Sequence, residues 1–259
     1  MSTTSRLLRF CSATAWCAAG ALLAGCVADN SQKMTRSKDA AAYNVQLGIA
    51  YMNQGDLAQA KDKLDRALKE NSGSADVHSA RAYLFEHMND PAQADAEFRT
   101  ALRLAPHDPQ IVNNYAVYLC QNGRTDEGVK RFLEAAHNAL YQTPWAAYTN
   151  AGVCLHTAKR DDEARLNFER ALQIRPNFAE ATFQLADLEF ARGELLPART
   201  RIDAYLGHFD ETPDLLLLGV RVARAQGDRV AAQRYARKLQ LDFPTSDQTR
   251  ALAGLDHSG

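Results

Sequence analysis

The side chains of this 259-residue chain that could do chemistry include seven histidines, five cysteines and adjacent acids such as Asp161-Asp162 and Asp210-Glu211. Bound zinc or copper calls for imidazoles a helical turn apart or across a short loop. His78, His87, His107, His137, His156, His208 and His257 are instead scattered, and the nearest pair, His78 and His87, is nine residues apart. Each reads as a helix-surface or half-buried residue. Asp161-Asp162 and Asp210-Glu211 could serve as acid and base, but both pairs fall at turns between helices. There carboxylates cap the following helix or favour its positive end. The chain holds no glycine-rich phosphate loop and no HExxH, CxxC or GxSxG pattern. The expectation is a protein that is not an enzyme and has no cofactor, metal or small-molecule substrate.

What organises the chain is a 34-residue pattern that recurs six times. With Ala41, Ala75, Pro109, Trp145, Ala179 and Pro213 as first positions, the eighth reads Gly48, Ala82, Ala116, Gly152, Ala186, Val220. The twentieth reads Ala60, Ala94, Gly128, Ala164, Ala198, Ala232. A bulky apolar residue fills the twenty-fourth (Leu64, Phe98, Phe132, Phe168, Ile202), with Ala236 the exception. Small residues let helix backbones approach, and the bulky one fills the space between pairs. Gly55, Gly123, Gly193 and Gly227 occupy the turn, where a left-handed backbone is cheap for glycine. Pro106, Pro176 and Pro244 stop the second helix, whereas Pro91 and Pro197 fall in a first turn that tolerates them.

These features predict an all-α, right-handed superhelical solenoid of six tetratricopeptide helix pairs over residues 40–246. The units are 41–74, 75–108, 109–144, 145–178, 179–212 and 213–246. One pair cannot bury its own apolar face, so stacked neighbours share a core. The period slips by two residues around Tyr141 to Pro144. Two readings stand: a longer loop with a local change of superhelix geometry, or an insertion without a role.

The ends differ in character. Residues 1–25 carry Arg6 and Arg9, no acidic residue, and an apolar stretch from Phe10 to Ala24 too short for a comfortable membrane span. They read as a secretory signal. Leu23-Ala24-Gly25-Cys26 resembles the lipobox of bacterial lipoproteins. That resemblance implies cleavage before Cys26, acylation of its thiol and new amino group, and a membrane anchor without a transmembrane helix. Val27 after the cysteine favours the outer membrane by the same resemblance, with the repeats facing the periplasm. Residues 26–39 then form the acylated cysteine and a flexible tether, and 247–259 a polar tail that frays. Without residues 1–25 the formal net charge moves from −1 to −3. That balance, with no basic stripe or interleaved aromatics, gives nucleic acid no footing.

Cys120 and Cys154 remain, on first helices of adjacent units. A disulfide is permitted in an oxidising periplasm. They fall at the twelfth and tenth positions of their units, facing different ways, so two buried free thiols are the simpler expectation.

Partners of such arrays lie along the first helices, at positions two, five, nine, twelve and thirteen. In the first unit these are Ala42, Val45, Ile49, Met52 and Asn53; in the second, Asp76, Ser79, Tyr83, Glu86 and His87. Position nine reads Ile49, Tyr83, Val117, without the lysines and asparagines that clamp a terminal carboxylate. Val45, Ile49, Met52 and Tyr83 form the candidate groove, suited to an amphipathic helix. The alternative is that they pack on the tether or a neighbouring helix.

Tyr43 to Tyr51 (YNVQLGIAY), Ile111 to Tyr118 (IVNNYAVY) and Leu215 to Ala223 (LLLLGVRVA) are similar to segments of the pilotin lipoproteins of type IV pili, the PilF/PilW group. So is Ala186-Asp187-Leu188 with Pro197-Ala198-Arg199 behind it. The resemblance spans nearly the whole chain after residue 25. It implies a non-enzymatic role: binding the type IV pilus secretin subunit, carrying it to the outer membrane and assisting its multimer assembly. The lipid on Cys26 would then give the membrane address, and the first-unit groove would hold the secretin segment. A competing expectation keeps anchor and array but makes the protein an adaptor for cell-wall hydrolases or proteases.

Overall fold

A computed structural model describes residues 21–256, with side chains from residue 33 to residue 254. Thirteen helices and no strand occur among the described residues. The chain divides into two compact units, one ending at Leu104 and the other beginning at Ala105. The first contains α1 (Ala21–Asn53), α2 (Leu57–Glu70), α3 (Ala75–His87) and α4 (Pro91–Leu104). The second contains α5 (Pro109–Gln121), α6 (Thr125–His137), α7 (Pro144–Thr157), α8 (Asp161–Ile174), α9 (Ala179–Ala191), α10 (Leu195–Leu206), α11 (Pro213–Ala225), α12 (Arg229–Asp242) and α13 (Asp247–Asp256).

The repeat positions do what their volumes require. Leu64, Phe98, Phe132, Phe168 and Ile202 are all buried, as are the alanines at positions twenty and twenty-seven beside them. A Cβ on Gly152 would stand 2.4 Å from the Phe168 ring, and one on Gly48 2.7 Å from Leu64. Glycine is therefore a packing requirement at these two sites. The exception at Ala236 is resolved one residue earlier: Tyr235 is buried and lies against Gly219, filling the space the twenty-fourth side chain fills elsewhere. In the inter-helix turns, the left-handed position is held by glycine in four repeats, and by Asn89 (φ 56°) and Lys159 (φ 63°) in the other two.

Two sequence expectations about the ends of the repeat array are corrected. Residues 26–39 are not a tether without regular structure; they lie inside α1. No glycine or proline interrupts the chain from Val27 to Leu47, so nothing breaks the helix. The Ser37 hydroxyl donates to the Glu70 carbonyl at 2.6 Å, fastening this stretch to the end of α2. The polar tail is also helical: α13 buries Leu252 against the core of α11 and α12. Ser246 caps it by accepting from the Thr249 amide. An end cover of this kind is what a terminal repeat needs. The two-residue slip lies in the loop between α6 and α7, where Tyr141 is tucked in and the Asn138 side-chain amide donates to the His107 carbonyl.

Candidate functional site

Position nine and its neighbours on α1 and α3 set the candidate groove. Gly48 seats α1 on Leu64 of α2, which fixes the outward face of α1 one residue later, at Ile49. Ile49 is 41 % exposed, and Val45 and Tyr83 are half-buried. Tyr83 meets the Phe98 ring edge-on at 5.4 Å, and burial, with the Glu86 carboxylate nearby, pushes its hydroxyl up to about 12. Met52 does not belong to this surface. It is 7 % exposed and packs with Ala60, Leu64, Ala80 and Leu84. The helix α3 lies over position twelve of α1, so Met52 is core where a groove residue was expected. Three of the four side chains remain partly accessible: Val45, Ile49 and Tyr83.

Behind this face an ion network ties three helices together. Glu97 on α4 receives the Arg81 Nε at 2.8 Å and pairs with His78 Nδ1 at 2.6 Å. Arg81 also pairs with Asp65 on α2. His78 is therefore committed to structure, and no group of three or more metal-ligating side chains occurs among the described residues. The acid pairs are structural too. Asp161 and Asp162 occupy the first turn of α8, whose cap position is Arg160. Asp161 pairs with His156 and Asp162 with Arg192, whose guanidinium holds the Asp162 carboxyl below its usual range. Glu211 pairs with Lys238.

In the second compact unit, Cys120 and Cys154 form a disulfide across α5 and α7, with Cα atoms 5.6 Å apart. The expectation of free thiols compared positions within repeats numbered from Pro109 and Trp145. Counted from the first residues of the helices, Pro109 and Pro144, the cysteines stand twelfth and eleventh, closer in register than that numbering implied. Gly128 accommodates the bridge, since a Cβ there would lie 2.3 Å from the Cys120 sulfur. The bridge borders a hollow of about 210 Å³ lined also by Val117, Gln121, Asn150, Val153 and Thr157.

Residues 1–20 lie outside the described residues, and the side chain of Cys26 is likewise outside them. No helix among the described residues is long and apolar enough to cross a membrane.

Residues 45–109, 80–141 and 116–179 match the tetratricopeptide-repeat family. The type IV pilus assembly protein PilF of Pseudomonas aeruginosa is 33 % identical over 229 residues, covering 86 % of this chain and 90 % of that protein. The solved structure of P. aeruginosa PilF aligns with a TM-score of 0.64 at 31 % identity, covering 84 % of this chain and 98 % of the other. That of PilW, described as a widely conserved type IV pilus biogenesis factor, aligns with a TM-score of 0.65 at 28 % identity, covering 82 % and 98 %. With the same repeats matched along nearly the same length, the chain belongs to the PilF/PilW group of tetratricopeptide-repeat type IV pilus biogenesis proteins.

Proposed function

We propose that this pilus biogenesis factor is a non-enzymatic outer-membrane lipoprotein, acylated on Cys26, that binds the type IV pilus secretin subunit. In doing so it promotes the subunit's outer-membrane localisation and multimer assembly, and thereby pilus formation and twitching motility. The observation that carries this reading is the accessible apolar face of Ile49, Val45 and Tyr83 on the helices nearest the anchoring end. An apolar face of a helix pair that its neighbours leave uncovered suits an amphipathic helix of a partner. The helix α1 runs through Cys26 to the groove residues. At 1.5 Å per residue, the 23 residues from Cys26 to Ile49 rise about 35 Å. A lipid there would hold the groove, and its client, at a set reach from the membrane.

Deletion of the gene is expected to abolish surface pili and twitching while secretin multimers fall or mislocalise. Co-purification from detergent-solubilised outer membrane should recover the secretin subunit. Normal multimers and pili in the deletion strain would refute the reading. Recovery of cell-wall hydrolases or proteases in place of the secretin would turn the protein into their adaptor.

A further inference from the structure

Half-buried and buried carboxylates in this protein are generally met by cations of its own. Glu189, 1 % exposed, receives Arg201 through both carboxylate oxygens at 2.7 and 3.1 Å, with Arg165 at 3.6 Å. Glu97 receives Arg81 and His78. Glu86 is different. It lies on α3, one helical turn beyond Tyr83, and is half-buried. The adjacent His87 is exposed and forms no ion pair with it among the described residues. Burial pushes its carboxyl above the usual carboxylate range, as it must when a charge loses water without gaining a partner.

The position of Glu86 gives this a meaning. Tyr83 packs with Val45 on the cluster that holds Met52, so the carboxylate adjoins the apolar face that ends at Ile49. Leaving a carboxylate partly desolvated is unfavourable unless a cation arrives to compensate it. Among the described residues, arginines meet Glu189 and Glu97 and none meets Glu86, so the compensating charge is left to the occupant of the groove.

We infer that Glu86 is a specificity residue of the first-unit groove and that the segment held there is an amphipathic helix. That helix sets an apolar side chain over Ile49 and Tyr83 and directs a lysine or arginine to the Glu86 carboxylate. The inference rests on the proposed groove function and adds the charge of the partner. A neutral or acidic apolar helix would leave Glu86 buried and unpaired, so the same residue rejects wrong segments.

The test measures binding of the purified 27–259 chain to the detergent-solubilised type IV secretin subunit of the same cell over a range of salt concentrations. Wild type, Glu86→Gln and Ile49→Asp are compared, each checked for helical content. Glu86 makes no ion pair among the described residues, so Glu86→Gln keeps the fold's shape. It is expected to weaken binding at least tenfold and to flatten the salt dependence, because the partner's charge is then desolvated without its counter-ion. Glu86→Lys should bind still less, and a lysine- or arginine-to-glutamate change in the secretin segment should restore it. If Glu86→Gln binds with wild-type affinity and salt dependence while Ile49→Asp does not bind, the charge inference is overturned and the groove stands. If neither substitution weakens binding, or wild type does not bind the secretin, both are overturned.

Discussion

Met52 and Ile49 are three residues apart on one helix, yet the structure gives them opposite duties, and truncating each separates the two. Met52 is 7 % exposed among Ala60, Leu64, Ala80 and Leu84, so Met52→Ala removes a core side chain and leaves a cavity. Buried methionine-to-alanine changes cost about 2–5 kcal/mol. The lower part of that range applies, because Val45 and Tyr83 border the cluster and can relax toward the gap. Ile49 is 41 % exposed, so Ile49→Ala loses only part of a three-carbon burial. At about 0.8 kcal/mol per buried carbon, less a few tenths for the better helix former, its net cost is about 1 kcal/mol. Urea unfolding followed by helical circular dichroism reads both. With a slope of about 2 kcal/mol per molar, Met52→Ala should lower the midpoint by about 1 M or more and Ile49→Ala by about 0.5 M. Partner binding measured on the folded fraction should invert the order, with Ile49→Asp abolishing it and Met52→Ala sparing it. A Met52→Ala protein as stable as wild type but unable to bind would mean that Met52 faces the partner, and would refute this division of the helix.

Gly152→Ala should destabilise the fold by about 1–2 kcal/mol. The new Cβ falls 2.4 Å from the buried Phe168 ring, and overpacking of about 1–3 kcal/mol exceeds the roughly 0.5–1 kcal/mol gained in helix propensity; thermal unfolding would show it. Lys159→Gly should act in the opposite sense, raising stability by up to about 1 kcal/mol, because Lys159 holds a left-handed backbone at φ 63° that costs a side chain about 1–2 kcal/mol. Replacing Cys120 and Cys154 by serine should cost about 3–4 kcal/mol, since their bridge spans 34 residues; denaturation with and without reductant measures it. Cys26→Ser should leave helical content unchanged and move the protein from the membrane to the soluble periplasmic fraction, as fractionation would show.

The repeat frame was legible in the sequence because its constraints are local volumes. Gly48 against Leu64 and Gly152 against Phe168 are pairs within one helix hairpin, and a fixed spacing carries them wherever the hairpin sits. What the spacing could not carry depends on neighbours. Met52 reads as a groove residue until Ala80 and Leu84 of α3 are laid over it. The cysteine pair depends on where α7 starts, which a loop of altered length moves by one residue. Leu252 is an apolar residue in a polar stretch, and only the uncovered end of the last repeat gives it something to pack on.

Position twelve condenses the point. Its six occupants are Met52, Glu86, Cys120, His156, Phe190 and Arg224. The first is core, the second a half-buried carboxylate without an ion pair among the described residues, and the third is bridged to Cys154. His156 pairs with Asp161, Phe190 lies under the Arg221 guanidinium at 5.0 Å, and Arg224 is exposed. The frame common to the repeats is held by positions eight, twenty and twenty-four, and position twelve takes a different duty in each repeat. Where it serves neither the core, as Met52 does, nor the bridge, as Cys120 does, it can carry selectivity toward a partner at little cost to folding. Of the six, Glu86 adjoins the accessible apolar face of the first compact unit and leaves its charge for a partner to meet, which makes it the side chain at this position whose removal should change binding more than stability.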